Sequence, residues 1–316
     1  MAPLKSSRVQ PQADDDTVRI IPPVRPRPRH RLWFAAAGLV VAGVIVAVIA
    51  LWPRPAPLPV AGESTIFRHV SRHFAVFRFA DDRLVLVFDC PDLHAQGLMF
   101  DRIAALIEKA DAPKDRVLST TAFHAALVAA DLTIGTYYYG DDYPARALRK
   151  FFRLAQAEHR HLNPLEQRLH EIAAAAGFLK PGAAGAVISI PQAGAGHRVG
   201  LRARAVILRH ELSHGAYFTI PAYRAFVHHF YNTALTASEQ AAFKNCLVRQ
   251  GYDGDEHGLI VNETLAYLVF TRDKEFFRAE VVGMPDARVA MLRAEFIAMM
   301  PDIWLKPLAT APLPGG

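Results

Sequence analysis

The sequence predicts a mainly α fold with a small β-sheet, of the α+β class. Three observations carry this expectation. Most segments after residue 97 repeat apolar side chains at the 3.6-residue spacing of helices. Two short stretches, 74–90 and 186–190, show strand patterns instead. No internal repeat recurs at a fixed period, which sets solenoid and propeller architectures aside.

The first segment, 1–32, is a basic, Pro-rich tail. It holds seven basic side chains and three acids, so four of the six net positive charges of the chain sit there. The remaining 29 bases and 27 acids nearly cancel. The pI near 9.4 therefore describes the tail, and with no basic stripe on a folded face nucleic acid is not an expected partner. Residues 33–52, WFAAAGLVVAGVIVAVIALW, carry no charge. As a helix they span about 30 Å, the thickness of a bilayer core, with Trp33 and Trp52 at headgroup level. The positive-inside rule places 1–32 in the cytoplasm and everything after 52 on the periplasmic or extracellular side of a single-pass inner (cytoplasmic) membrane anchor. A cleaved signal peptide fits less well, because the apolar run is long and the stretch before it extended. Alternate prolines make 53–62 a semi-rigid stalk. Residues 63–306 remain as the working domain, and 307–316, ending TAPLPGG, read as a flexible tail.

Within the domain, 74–90 alternates apolar and polar residues around Asp81-Asp82 and predicts a β-hairpin. Helical spacing predicts helices over 97–110, 121–131, 143–158 and 164–177, the last opened by Asn163-Pro164 and stopped by Gly177. The β-branched run 186–190 predicts a strand closed by Pro191. A helix over 199–217 follows, then one opened by Pro221. Thr236 and Glu239 form a capping-box pattern for a helix ending near Gly251. The polar loop 253–258 separates it from helices at 260–272 and 285–300. Asp253, Asp255 and Glu256 complete no Ca²⁺-loop spacing and read as a solvated loop. Cys90 and Cys246 are the two cysteines, and their pairing is left open by the sequence.

Chemistry concentrates at Arg209-His210-Glu211-Leu212-Ser213-His214, an HExxH pattern inside the 199–217 helix. His210 and His214, at i and i+4, project from one face, so both imidazoles reach one Zn²⁺. Glu211 lies about 100° around the helix, where it meets a water activated by the metal and acts as general base. The apolar Ala205–Leu208 stretch buries the helix and fixes the ligands. A chance match is the bland reading, and His170-Glu171 shows how it fails: position 174 is Ala, so no second ligand follows.

A catalytic zinc needs a third protein ligand and an open fourth position. Tyr217 and Ile220 occupy the positions where metzincins need Gly and His, so that class is excluded. The chain resembles instead the gluzincin type of zinc metallopeptidase, on two short motifs: the HExxH and Asn262-Glu263-Thr264-Leu265-Ala266-Tyr267. The resemblance implies a zincin-like catalytic domain, zinc as cofactor, and Glu263 as third ligand from a later helix. The 48 residues between His214 and Glu263 are a longer gap than in the best-known gluzincins. His257 is the rival third ligand, and a helix-start acid at the macrodipole is the bland reading of Glu263.

Tyr267, four residues after Glu263, is the candidate to hold a ligand or stabilise the oxyanion, ahead of Tyr217 and Tyr223. Residues 187–190 are the expected edge strand to which a peptide adds. The expected function is a membrane-anchored zinc metallopeptidase acting on a peptide or protein substrate. The alternatives are a membrane-tethered, non-enzymatic binding or scaffold domain with a structural zinc closed by His257, and a zinc hydrolase of a non-peptide amide.

Overall fold

The computed structural model describes residues 57–196 and 199–315. The tail 1–32 and the expected membrane span 33–52 lie outside the described residues. Among the described residues, no helix is long and apolar enough to cross a membrane.

Strand β1 (Val60–Ala61), helix α1 (Glu63–Arg68), and the hairpin β2 (Ala75–Phe79) and β3 (Val85–Cys90) come first. Helix α2 (Leu93–Ile107) starts before the expected residue 97, because Asp92 caps it by accepting from the Ala95 amide. Ser119 caps α3 (Thr120–Ala129) in the same way. The expected helix 143–158 divides: Asp141–Pro144 is strand β4, and α4 (Ala145–Ala157) begins after the proline. A capping box of Asn163 and Glu166 opens α5 (Pro164–Ala175). Strand β5 (Ala186–Pro191) and helix α6 (Leu201–Thr219) follow. Next come α7 (Pro221–Ala234), α8 (Ala237–Arg249) with its Thr236–Glu239 capping box, and α9 (His257–Leu265). A π-helical turn, Ala266–Phe270, continues α9. Helices α10 (Asp286–Met299) and α11 (Leu305–Thr310) complete the fold.

The five strands form one mixed sheet in the order β1-β2-β3-β5-β4. The central pair β3 and β5 is parallel, while β4 runs antiparallel to β5. The expectation that 187–190 forms the edge is therefore corrected: β5 lies between two neighbours, and β4 is the edge. The sequence Asp-Asp-Tyr-Pro gives β4 little strand character. An edge strand pairs on one side only, which tolerates Pro144. The Asp141 carboxylate accepts from Ser189 Oγ at 2.7 Å, Gln96 Nε2 at 3.1 Å and Tyr143 Oη at 3.2 Å, which stabilises its burial.

Side chains alternate across the sheet with period two. Leu86, Phe88, Tyr143 and Val187 pack with α2, α4 and α5 on one face. Phe77, Phe79, Val85, Val87, Ile188 and Ile190 pack with Ala205, Leu208 and Leu212 of α6 on the other. A third core, including Phe230, Leu268, Phe270 and Phe296, joins the end of α6 to α7–α10. Helix α6 thus runs between sheet and helical layer. Gly215 lets it approach closely, because a Cβ there would stand 3.1 Å from both Val85 methyls.

The domain extends past the expected limits of 63 and 306. Ala61 is buried in β1. At the other end Ala309 is buried, and the carbonyls of Ala311 and Pro312 accept from the Arg209 guanidinium at 2.7 and 3.0 Å. The expected flexible tail is in this part a bonded element. Proline and small residues there read as loop, but their carbonyls complete a buried arginine. Cys90 and Cys246 are both free thiols.

Candidate metal centre

Two imidazoles and a carboxylate converge where α6 passes α9. His210 Nε2 and His214 Nε2 lie 2.9 Å apart. The Glu263 oxygens stand 3.7 Å from His210 Nε2 and 3.6 Å from His214 Nε2. The i,i+4 spacing on one regular helix aligns the two rings. Glu263 comes from α9, whose residues Ile260–Leu265 are all buried.

The hydrogen bonding selects a tautomer at His210. The Thr271 hydroxyl donates to the Ala266 carbonyl at 3.2 Å, so it accepts from His210 Nδ1–H at 2.7 Å. The Nε2 lone pair is then free and faces Glu263. The π turn Ala266–Phe270 is what brings Thr271 beneath this ring. Burial holds both histidines down to about 4, so they are neutral imidazoles at neutral pH.

Around them buried carboxyls crowd, with Lys109 as an opposing cation. Burial pushes the carboxyls of Glu211, Glu263, Asp142 and Glu108 up, and raises Asp141 to about 6. Mutual repulsion adds to this at Glu211, Asp142 and Glu108. Glu211 Oε2 and Glu263 Oε2 are buried without a hydrogen-bond partner. Unpaired buried carboxylate oxygens beside deprotonated imidazoles are costly as they stand, and a divalent cation reverses the penalty. The donor set of two imidazole nitrogens and a carboxylate suits zinc. The residues present therefore fit a Zn²⁺ ion held by His210, His214 and Glu263.

Glu211 stands beside this group, against the backbone of Gly140 just before β4. A Cβ at Gly140 would fall on Glu211 Oε1 and come within 2.6 Å of its Cδ, so the carboxylate occupies the space of the missing side chain. Asp142, on the edge strand, pairs in register with Ile188 and shares the sheet face covered by α6. Its Oδ2 lies 3.6 Å from His214 Nε2. Asp142, Glu211 and His214 form a second group with ligand atoms within 4.8 Å of one another.

A cleft of about 230 Å³ opens onto His210 and Glu211, walled by Lys109, Tyr137–Tyr139, Gly140, Tyr252 and Tyr267. The Tyr267 ring packs edge-on against His210, centroids 4.9 Å apart, and its hydroxyl donates to Gln250 Oε1 at 3.4 Å. Tyr217 lines a different cleft and hydrogen-bonds His228 Nε2 at 2.8 Å, while Tyr223 is buried against Phe296. His257, the rival ligand, instead packs near His228 and Tyr231, with ring centroids 5.8 and 5.9 Å away. It opens α9, six residues before Glu263, and its side chain leaves the helix away from the candidate centre.

Sequence reasoning missed Gly140, Asp142, Thr271 and Lys109. Only Gly140 carried any local signal, as a lone glycine after three tyrosines. Comparison of the chain with family models, with curated proteins and with solved structures gives no match.

Proposed function

We propose that the chain is a zinc metallopeptidase of the gluzincin type, its zincin-like domain carried on the outer side of a membrane by the 33–52 span. The observation that supports this most is the convergence of His210 Nε2, His214 Nε2 and the Glu263 carboxylate within 3.7 Å of one another. Zinc held there supplies a Lewis acid that polarises a carbonyl and acidifies water. Glu211 offers Oε2, buried and unpartnered, to take the proton of the attacking water and return it to the leaving amine. Thr271 fixes the His210 tautomer, and Tyr267 holds the ring from its edge.

The test is zinc content and cleavage of a defined peptide mixture by the wild type and by Glu211→Gln. Stoichiometric zinc in both, with cleavage lost in the variant, is the expected result. Cleavage by zinc-loaded Glu211→Gln at the wild-type rate rejects the role of Glu211.

One observation favours a second reading, a structural zinc in a tethered binding domain. Asp142, rather than His257, is the residue placed to close the fourth position. In that case X-ray absorption on the zinc-loaded protein would show four protein ligands in the wild type and one fewer in Asp142→Asn. The peptidase reading expects the same protein ligands in both.

A further inference from the structure

Lys109 is the one Lys or Arg among the described residues that lines the cleft at His210 and Glu211. It is 9% exposed, yet among the described residues no carboxylate oxygen comes within 4.0 Å of its nitrogen. Its hydrogen bond runs to the Gln250 carbonyl, at 3.3 Å. An ammonium has three donors, so capacity remains. Three rings face the charge: Tyr138, Tyr137 and Tyr252, with centroids 4.0, 4.5 and 5.6 Å from Nζ. Aromatic faces stabilise a partly desolvated cation without neutralising it. The backbone is held too, since Lys109 pairs with Tyr252 in an isolated bridge and Ala110 N donates to Gly251 O at 3.2 Å.

Glu108, Asp101, Glu263 and Asp141 act on Lys109 from a distance, but none touches it, so a buried ammonium at a fixed place in the cleft beside the candidate metal centre keeps donors for a negative group. We propose that Lys109 is the substrate-carboxylate anchor of this site: the peptides it takes carry a carboxylate next to the scissile bond, as a free C-terminus or as an acidic side chain. This rests on the metallopeptidase reading. Glu211, the one acid among the described residues that line the cleft, disfavours an anion placed beside it. The remaining donors of Nζ and the tyrosine wall then define one end of the substrate, and Glu211 the other.

The experiment uses the full chain in detergent, loaded with zinc, with zinc content measured on every sample. Calorimetry compares thiol probes, which report on a zinc site whether or not the enzyme turns over. Mercaptoacetyl-alanyl-alanine against its C-terminal amide tests the free C-terminus. Mercaptoacetyl-glutamyl-alanine amide against its glutaminyl counterpart tests the acidic side chain. The expected result is one pair in which the carboxylate probe binds at least tenfold tighter. That ratio falls to within about twofold in Lys109→Met and returns in Lys109→Arg. Because the readout is a ratio within one protein, loss of folded protein does not mimic it. Equal binding within both pairs, or a preference that survives Lys109→Met, overturns the anchor while the zinc site stands. A chain that takes up no zinc, or a zinc-loaded chain that binds neither thiol, overturns the metallopeptidase reading and the anchor with it.

Discussion

Replacing Gly140 with alanine tests the proposed general-base role of Glu211 without touching a proposed metal ligand. The φ of Gly140 lies outside the left-handed region, so the backbone accepts alanine. The new methyl would stand 2.6 Å from Glu211 Cδ and 3.0 Å from Cγ. Carbon atoms in contact settle about 3.5 Å apart, so the carboxyl must retreat by about 1 Å. A catalytic group misplaced by that distance loses about 10²-fold in rate, equivalent to about 2.7 kcal/mol in the barrier. The assay is steady-state cleavage of a fluorogenic peptide, with zinc measured by atomic emission on the same preparation. The expected outcome is full zinc, a KM near that of the wild type and a kcat about 100-fold lower. Wild-type kcat in zinc-loaded Gly140→Ala refutes the placement of the base, since Glu211 cannot then be acting from the position it occupies.

Three further outcomes follow from the same geometry. Thr271→Val removes the acceptor of His210 Nδ1–H and is expected to weaken zinc binding about 10- to 100-fold, read by competition with a chromogenic chelator. Stripping the metal is expected to lower the melting temperature, and restoring zinc at about 1,000 times its Kd to return about 4 kcal/mol; an unchanged melting curve speaks against a native-state zinc site. Ending the chain after Thr310 removes the Ala311 and Pro312 carbonyls from Arg209 and is expected to cost about 3 kcal/mol in urea unfolding, whereas a dispensable tail predicts no change.

What was legible in the sequence was local. Helices with strong caps, such as α5 and α8, follow from short-range chemistry, and the HExxH spacing places its own two imidazoles. Glu263 is different. Nothing near it specifies that α9 turns it toward α6, and only the resemblance pointed there. Asp142 was hidden because Asp-Asp-Tyr-Pro has the composition of a loop, and its strand exists through pairing with β5. Thr271 was hidden because a π turn shifts the helical face after Ala266, so counting in 3.6 residues misplaces it. Lys109 lies at the end of α2, and its meeting with Tyr252 is a contact across more than 140 positions. Each missed residue depends on a partner distant in sequence, which periodicity cannot register.

The arginines of α6 carry a consequence for how the domain folds. Arg209, the residue before His210, donates to Glu63, 146 positions earlier, and to Ala311 and Pro312, 102 and 103 positions later. One turn back, Arg204 donates to Ile66 and Phe67 and pairs with Asp89 at 2.8 Å. The helix that presents the two candidate metal-binding histidines is thus tied to both ends of the domain. Closures of that length are slow and come late in folding. A nascent chain whose residues 311 and 312 are still to be synthesised has no partner for the second half of the Arg209 fork. The helix carrying His210 and His214 therefore gains its last anchor only after nearly the whole domain has been made.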